Sequence, residues 1–225
     1  MIKVIYEDNH IIVVEKNPNI PSQEDKTGDI DMLSLVKDYI KVKYNKPGNV
    51  YLGLVHRLDR PVGGIMIFAK TSKAASRLSE EVRNKTFKKK YLAVVDGKFE
   101  NQEGTLEDYL YKDERNNMSK VVNATKKNAK LAKLDYKVLV YDEVKNLSLV
   151  EINLHTGRHH QIRVQLSNFE HSIFGDQKYG TRGQGKQIAL WAYKLKIVHP
   201  TTKEELEFED LPEPVGTWCI LKKLK

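Results

Sequence analysis

Cysteine is nearly absent from the chain: Cys219 stands alone, in an apolar stretch near the C-terminus. An intrachain disulfide is thereby excluded, which suits a reducing compartment and leaves Cys219 as core filling. No apolar run approaches the length of a membrane-spanning helix. The N-terminus begins directly with strand-like residues and carries no signal-peptide pattern. The expected setting is the cytoplasm, away from any membrane. Neither paired CxxC nor HExxH spacing occurs, so the sequence supports no metal site. Acidic residues are in deficit, 30 Asp plus Glu against 38 Lys plus Arg, which leaves a net charge of +8. A basic excess of this size fits simple solubility, and it equally fits attraction to nucleic acid, whose phosphates release counterions when neutralised.

The 225 residues are enough for one large domain with a substantial core. The chain is organised around Leu54-Val55-His56-Arg57-Leu58-Asp59-Arg60-Pro61-Val62-Gly63-Gly64. Here one carboxylate stands between two guanidiniums, with a histidine before it and a Pro/Gly turn after it. Nearby positive charge favours the ionised carboxylate. Such a group serves as nucleophile or charge stabiliser and serves poorly as a general acid. By itself the stretch reads as well as a solvated charge cluster on a surface turn.

Residues 2–6 and 11–15 read as two strands joined by a polar turn, and residues 29–46 as a helix capped by Asp29 or Asp31 and stopped by Pro47-Gly48. Residues 51–55 form a short strand that delivers the Asp59 loop, and residues 65–69 a buried one. Thr71-Ser72 caps a helix whose inward face is Ala74, Ala75, Leu78 and Val82. Residues 87–95 make a basic-headed strand with Tyr91, Ala93 and Val95 on one side. Residues 104–134 are poorly patterned and rich in lysine: a solvated loop or short-strand region, or a basic surface tracking a phosphate backbone. Strands are expected at 136–141, 147–154, 188–198 and 204–208. Thr156 is placed to cap a helix from about Arg158, with Ile162 and Leu166 on its buried side. A helix start with two arginines and several amide or imidazole donors is a ready anion site. Arg158 and Arg163 cannot share a narrow helix face, so one is expected inward and one outward. With no repeat, linker or composition break, a single strand-rich α+β domain over residues 1–225 is expected.

Several separated segments resemble the RluA-type pseudouridine synthase family. His56-Arg57-Leu58-Asp59-Arg60 matches its signature around the catalytic aspartate, and Lys89-Lys90-Tyr91-Leu92-Ala93 the segment with the active-site tyrosine. Thr156-Gly157-Arg158-His159-His160-Gln161-Ile162-Arg163 matches a third motif; Phe174-Gly175-Asp176-Gln177-Lys178-Tyr179-Gly180 and Ala189-Leu190-Trp191-Ala192 fit the C-terminal pattern. The resemblance implies a long, bent, mostly antiparallel sheet with flanking helices and a central RNA cleft. It implies an enzyme that isomerises uridine in ribosomal or transfer RNA, with no cofactor, no metal and no obligatory protein partner. Asp59, Tyr91 and Arg163 would be catalytic: the carboxylate attacking C1′ or taking the C2′ proton, the tyrosine against the uracil, the arginine pairing with the aspartate. Arg57 would fill the place of the everted base, and His56, Arg60, Arg158, His160 and Gln161 would complete the substrate-binding set.

The chain departs from many relatives in having Pro61-Val62-Gly63-Gly64 where they carry a hydroxyl-rich turn. The catalytic domain is expected to start at the beginning of the chain, without the small basic module that some relatives carry in front, so that target recognition falls to the catalytic domain itself. Two other functions fit parts of the pattern. One is an RNA-binding or assembly factor without chemistry, against which the intact Asp59, Tyr91 and Arg163 argue. The other is a glycosidic hydrolase, which usually needs a second carboxylate across the bond.

Overall fold

A computed structural model describes residues 2–181, 185 and 187–224. The chain is α+β. It runs β1 (Lys3–Glu7), β2 (Ile11–Lys16), α1 (Met32–Lys43), β3 (Gly53–Leu54), β4 (Gly63–Ala69), α2 (Ser72–Asn84), β5 (Lys88–Asp96) and β6 (Glu103–Asp113). Then follow β7 (Met118–Val122), β8 (Lys130–Asp142), β9 (Leu147–Leu154), α3 (Gln161–Asn168), β10 (Leu190–Val198), β11 (Glu205–Glu209) and a 3-10 segment, Gly216–Lys223. The chain divides into two compact units: Met1–Lys89 with Ala192–Leu211, and Lys90–Trp191 with Pro212–Lys225. Among the described residues no helix is long and apolar enough to cross a membrane.

In the first unit β2 is the inner strand of an antiparallel set. It pairs with β1 on one side and with β4 on the other, in a register that sets Lys16 opposite Gly64. Ile11, Val13, Ile65 and Ile67 pack with Ala74 and Leu78 of α2 into one core. Val82, expected inward, is 39% exposed, and the buried residues of α2 are Ala74 and Leu78. Helix α1 starts later and ends earlier than its apolar periodicity predicts. Asp31 is the cap, accepting from Ser34 N at 3.1 Å, and the helix stops at Tyr44, ahead of Pro47. Its far end is tied to β1 by Glu7, which accepts from Lys43 and Lys70 at 2.7 Å each. Burial opposes ionisation of that carboxyl, yet Lys43, Lys70 and Tyr44 hold its pKa down at about 2.

The second unit is built on the antiparallel order β5-β9-β8-β6-β7. Residues 104–134 carry more regular structure than expected: most of the eleven-residue β6, the short strand β7 and the start of β8, joined by turns at 114–117 and 123–129. One face of these strands supports α3, through Leu110, Ala132 and Val164. Helix α3 is buried almost all round, from Gln161 to Leu166. Cys219, expected in a core, is half-buried in the 3-10 segment and donates to Pro214 O at 3.2 Å.

Gly64 fixes the start of β4. Its φ is +120°, and a Cβ there would lie 2.2 Å from the carbonyl oxygen of Ala192. Gly64→Ala is expected to destabilise the chain by about 2 kcal/mol or more, through left-handed strain and a clash with backbone. Urea unfolding of the two proteins checks this.

Candidate active site

The first unit contributes the loop from His56 to Val62, which turns back on itself through Val62 N donating to Asp59 O at 2.9 Å. The Pro61 departure thus keeps the turn. His56 at the head of the loop and three groups from elsewhere in the unit hold it in place. His56 is buried against Phe87, with ring centroids 5.3 Å apart, and its Nε2 accepts from Ile67 N at 3.2 Å. Ser22 Oγ donates to Leu58 O at 2.8 Å and accepts from Leu58 N at 3.1 Å. Asn19 N donates to Arg60 O at 2.8 Å. Lys16, fully buried, donates from Nζ to Arg60 O at 2.9 Å, to Val62 O at 2.6 Å and to Asn17 O at 3.2 Å. Burial lowers the Lys16 pKa to about 7, against an opposing pull from the Asp59 carboxylate and with a further push from Arg60.

On this frame Asp59 is half-buried and Arg57 is exposed. Arg60 does not serve its neighbour alone: its guanidinium pairs with Asp29 and with Asp25 at 3.6 Å, and donates to Thr27 Oγ1 at 2.9 Å. It closes the loop at 25–29 over the turn. His56 holds the loop through its contacts with Ile67 and Phe87. The imidazole is buried with Nδ1 unpartnered among the described residues, and burial, aided by the Lys89 charge, lowers its pKa to about 3.

The second unit contributes Tyr91 and the turn into α3. Tyr91 is buried on β5, opposite Ile152 of β9. The turn departs from the expected cap. Thr156 does not cap α3, which begins only at Gln161, with His160 left-handed at φ +53°. Thr156 Oγ1 instead donates to Gln161 Oε1 at 2.7 Å, which also accepts from Arg158 N at 3.0 Å; Gln161 Nε2 donates to Lys133 O at 3.1 Å. The Gln161 amide is thus occupied in fastening the turn to β8. His160 Nδ1 lies 2.8 Å from the Tyr179 hydroxyl, and burial, with Arg163 and His159 adding to it, lowers its pKa to about 2. Arg158 points outward and donates from Nε to Leu131 O at 2.9 Å. Arg163 points inward, 4% exposed, and meets Asp176 in a fork: Nε to Oδ2 at 2.8 Å and Nη2 to Oδ1 at 2.7 Å. The same carboxylate accepts from Lys178 N and Tyr179 N, so the glycine-bounded loop at 174–180 folds around the pair.

Sequence reasoning passed over Lys16, Ser22 and Asp176 as site residues. Lys16 left a signal: strand alternation sets it on the side of Ile12 and Val14, both wholly buried. Ser22 left none.

The comparisons give this arrangement a family. The family model described as RNA pseudouridylate synthase matches residues 10–168, which include the Asp59 loop, Tyr91 and Arg163. The chain belongs to that family. It is an RNA pseudouridine synthase, an isomerase of RNA modification. It is 33% identical over 215 residues to the uncharacterized RNA pseudouridine synthase YhcT of Bacillus subtilis (strain 168), covering 94% of this chain and 68% of that one. It is 32% identical over 205 residues to the ribosomal large subunit pseudouridine synthase D of Borreliella burgdorferi, covering 87% of this chain and 61% of the other. Among solved structures, Human RNA Pseudouridylate Synthase Domain Containing 4 shares the fold with a TM-score of 0.77 at 22% identity, over 94% of this chain and 89% of that one.

Two predictions follow from the site's anchors. Lys16→Met should lower stability by about 2 kcal/mol, because it leaves buried carbonyls without their donor; an unchanged melting temperature would contradict the anchoring role. His56 and His160 both have folded pKa values below the ordinary histidine value. The unfolded chain therefore binds more protons as pH falls below about 6.5, and stability should drop from pH 7.5 to pH 5 by on the order of 2 kcal/mol for each. Denaturant titrations at the two pH values read the slope.

Proposed function

We propose that this pseudouridine synthase isomerises specific uridines in ribosomal or transfer RNA, with Asp59 as the essential carboxylate. The reaction breaks the C1′–N1 bond, turns the uracil over and forms C1′–C5; the C5 proton passes to solvent and the freed N1 takes up a proton, so the composition of the nucleoside is unchanged. Asp59 acts on the sugar, attacking C1′ or taking the C2′ proton. Tyr91 lies against the uracil and assists removal of the C5 proton. Arg163 is the cation for the aspartate. Arg57 fills the gap left by the everted base, whose extraction costs a few kcal/mol, and a planar cation stacks well in such a place.

The observation that carries this reading is the four-sided pinning of the Asp59 turn. The structure spends Lys16, Ser22, His56 and Asn19 on the position of a single half-buried carboxylate. Preorganised charge of that kind is worth most where charge develops during reaction. The fork from Asp176 supports the second part, since it fixes the plane in which Arg163 presents its charge.

The test uses RNA tritiated at uracil C5. The wild type should release tritium to water. Asp59→Asn should lose release by about a hundredfold or more, while RNA affinity stays within about threefold, since a group acting only on the reacting atoms contributes to turnover. Normal release from Asp59→Asn would sink the assignment. Asp176→Asn should lower both stability and turnover, the former by about 3 kcal/mol or more, because it leaves a buried guanidinium without its counter-charge. Unfolding and tritium release on the same preparation give both readings.

A further inference from the structure

Strand β5 opens with a cation that the mechanism above leaves unused. Lys89 stands two residues before Tyr91, and strand alternation gives the two the same face. Its neighbours carry charge in ordinary ways: Lys88 is exposed, and Lys90 pairs with Glu151 at 2.9 Å. Lys89 is half-buried, and among the described residues no carboxylate forms an ion pair with it. Its ammonium lies 5.8 Å from the centroid of the Phe87 ring, on which His56 also packs. Burial brings its pKa down to about 8, so the group is still charged at neutral pH. A partly desolvated cation with only a ring for company costs stability. Phe87 offsets part of that cost by its negative face. An anion that arrives with the substrate would offset the rest.

We propose that Lys89 is a phosphodiester subsite, its ammonium taking a non-bridging oxygen of the RNA backbone beside the nucleotide that reaches Tyr91. The proposal rests on the reading of the chain as an enzyme acting on RNA. Two residues of extended strand span about 7 Å, which matches the reach of one nucleotide from base to phosphate. The contact is a point charge on a flexible stem, so it binds backbone and reads no sequence. Lys89 therefore seats the target nucleotide, while specificity for a particular uridine arises elsewhere.

The experiment measures binding of the whole chain to a fluorophore-labelled RNA stem-loop with uridines in its loop, across a series of salt concentrations. Lys89→Gln should bind about five- to eightfold more weakly at 0.1 M salt, and the slope of log affinity against log salt should fall by about 0.7 to 0.9, the share of one phosphate contact. Lys89→Arg should keep the wild-type slope. If Lys89→Gln fails to fold, Lys89→Met keeps the apolar stem and gives the same readout. Wild-type affinity and slope in the neutral variant would overturn the subsite and leave Lys89 a purely structural residue. Failure of the underlying reading looks different: the wild type would release no tritium from any RNA, whatever the salt slope of the variants.

Discussion

A buried amine under a turn is the constraint on which the first unit's chemistry depends. Lys16 ends an apolar strand, and its side chain has no water to turn to. It finds the carbonyls of Arg60 and Val62, the residues on either side of Pro61 just past Asp59. The arrangement solves two problems together. The lysine meets partners that make its burial tolerable, and the turn gains a donor where its carbonyls would otherwise be unpaired. Strand register enforces the meeting, since Lys16 lies opposite Gly64, and Gly64 admits no side chain against Ala192. Asp59 thus inherits its position from the backbone pairing of β2 with β4.

The second unit uses a different device for the same end. Arg163 is almost wholly buried, which is costly for a guanidinium unless its donors are matched in geometry as well as charge. Asp176 provides the match with two parallel bonds, and its own loop is tightened by two backbone donors. Around it, Gln161 and His160 are occupied in holding the turn ahead of α3. The motif reads from sequence as a row of substrate donors, and internal hydrogen bonds occupy part of it. Arg158 is the member of the row that is exposed.

The elements that were legible share a cause: strong period-two or helical patterning bounded by caps and turn residues. Strand β9 lies where its residues predict, Thr71 caps α2, and Arg158 and Arg163 point in opposite directions. The lysine-rich stretch at 104–134 was not legible as long strands. Its solvent face alternates charge with charge, and the apolar residues beneath it, Leu110 and Ala132, gain meaning only once α3 lies on them. The cap of α3 was missed because Thr156 has a competing partner in Gln161 and in β8. Arg60 was read as a neighbour of Asp59 from adjacency in sequence, whereas its charge is largely claimed by two aspartates some thirty residues upstream. The family was readable because its motifs are short and dense in chemistry. The anchors of its central turn were not, because they are single residues scattered before it.

In the proposed mechanism one positioned carboxylate drives an isomerisation that leaves the composition of uridine unchanged. Nucleoside analysis of RNA before and after incubation with the wild type measures this most directly. Pseudouridine should appear in an amount equal to the uridine lost, with no free base in solution. Uridine lost as free uracil, or RNA bound tightly with its nucleosides unchanged, would contradict it.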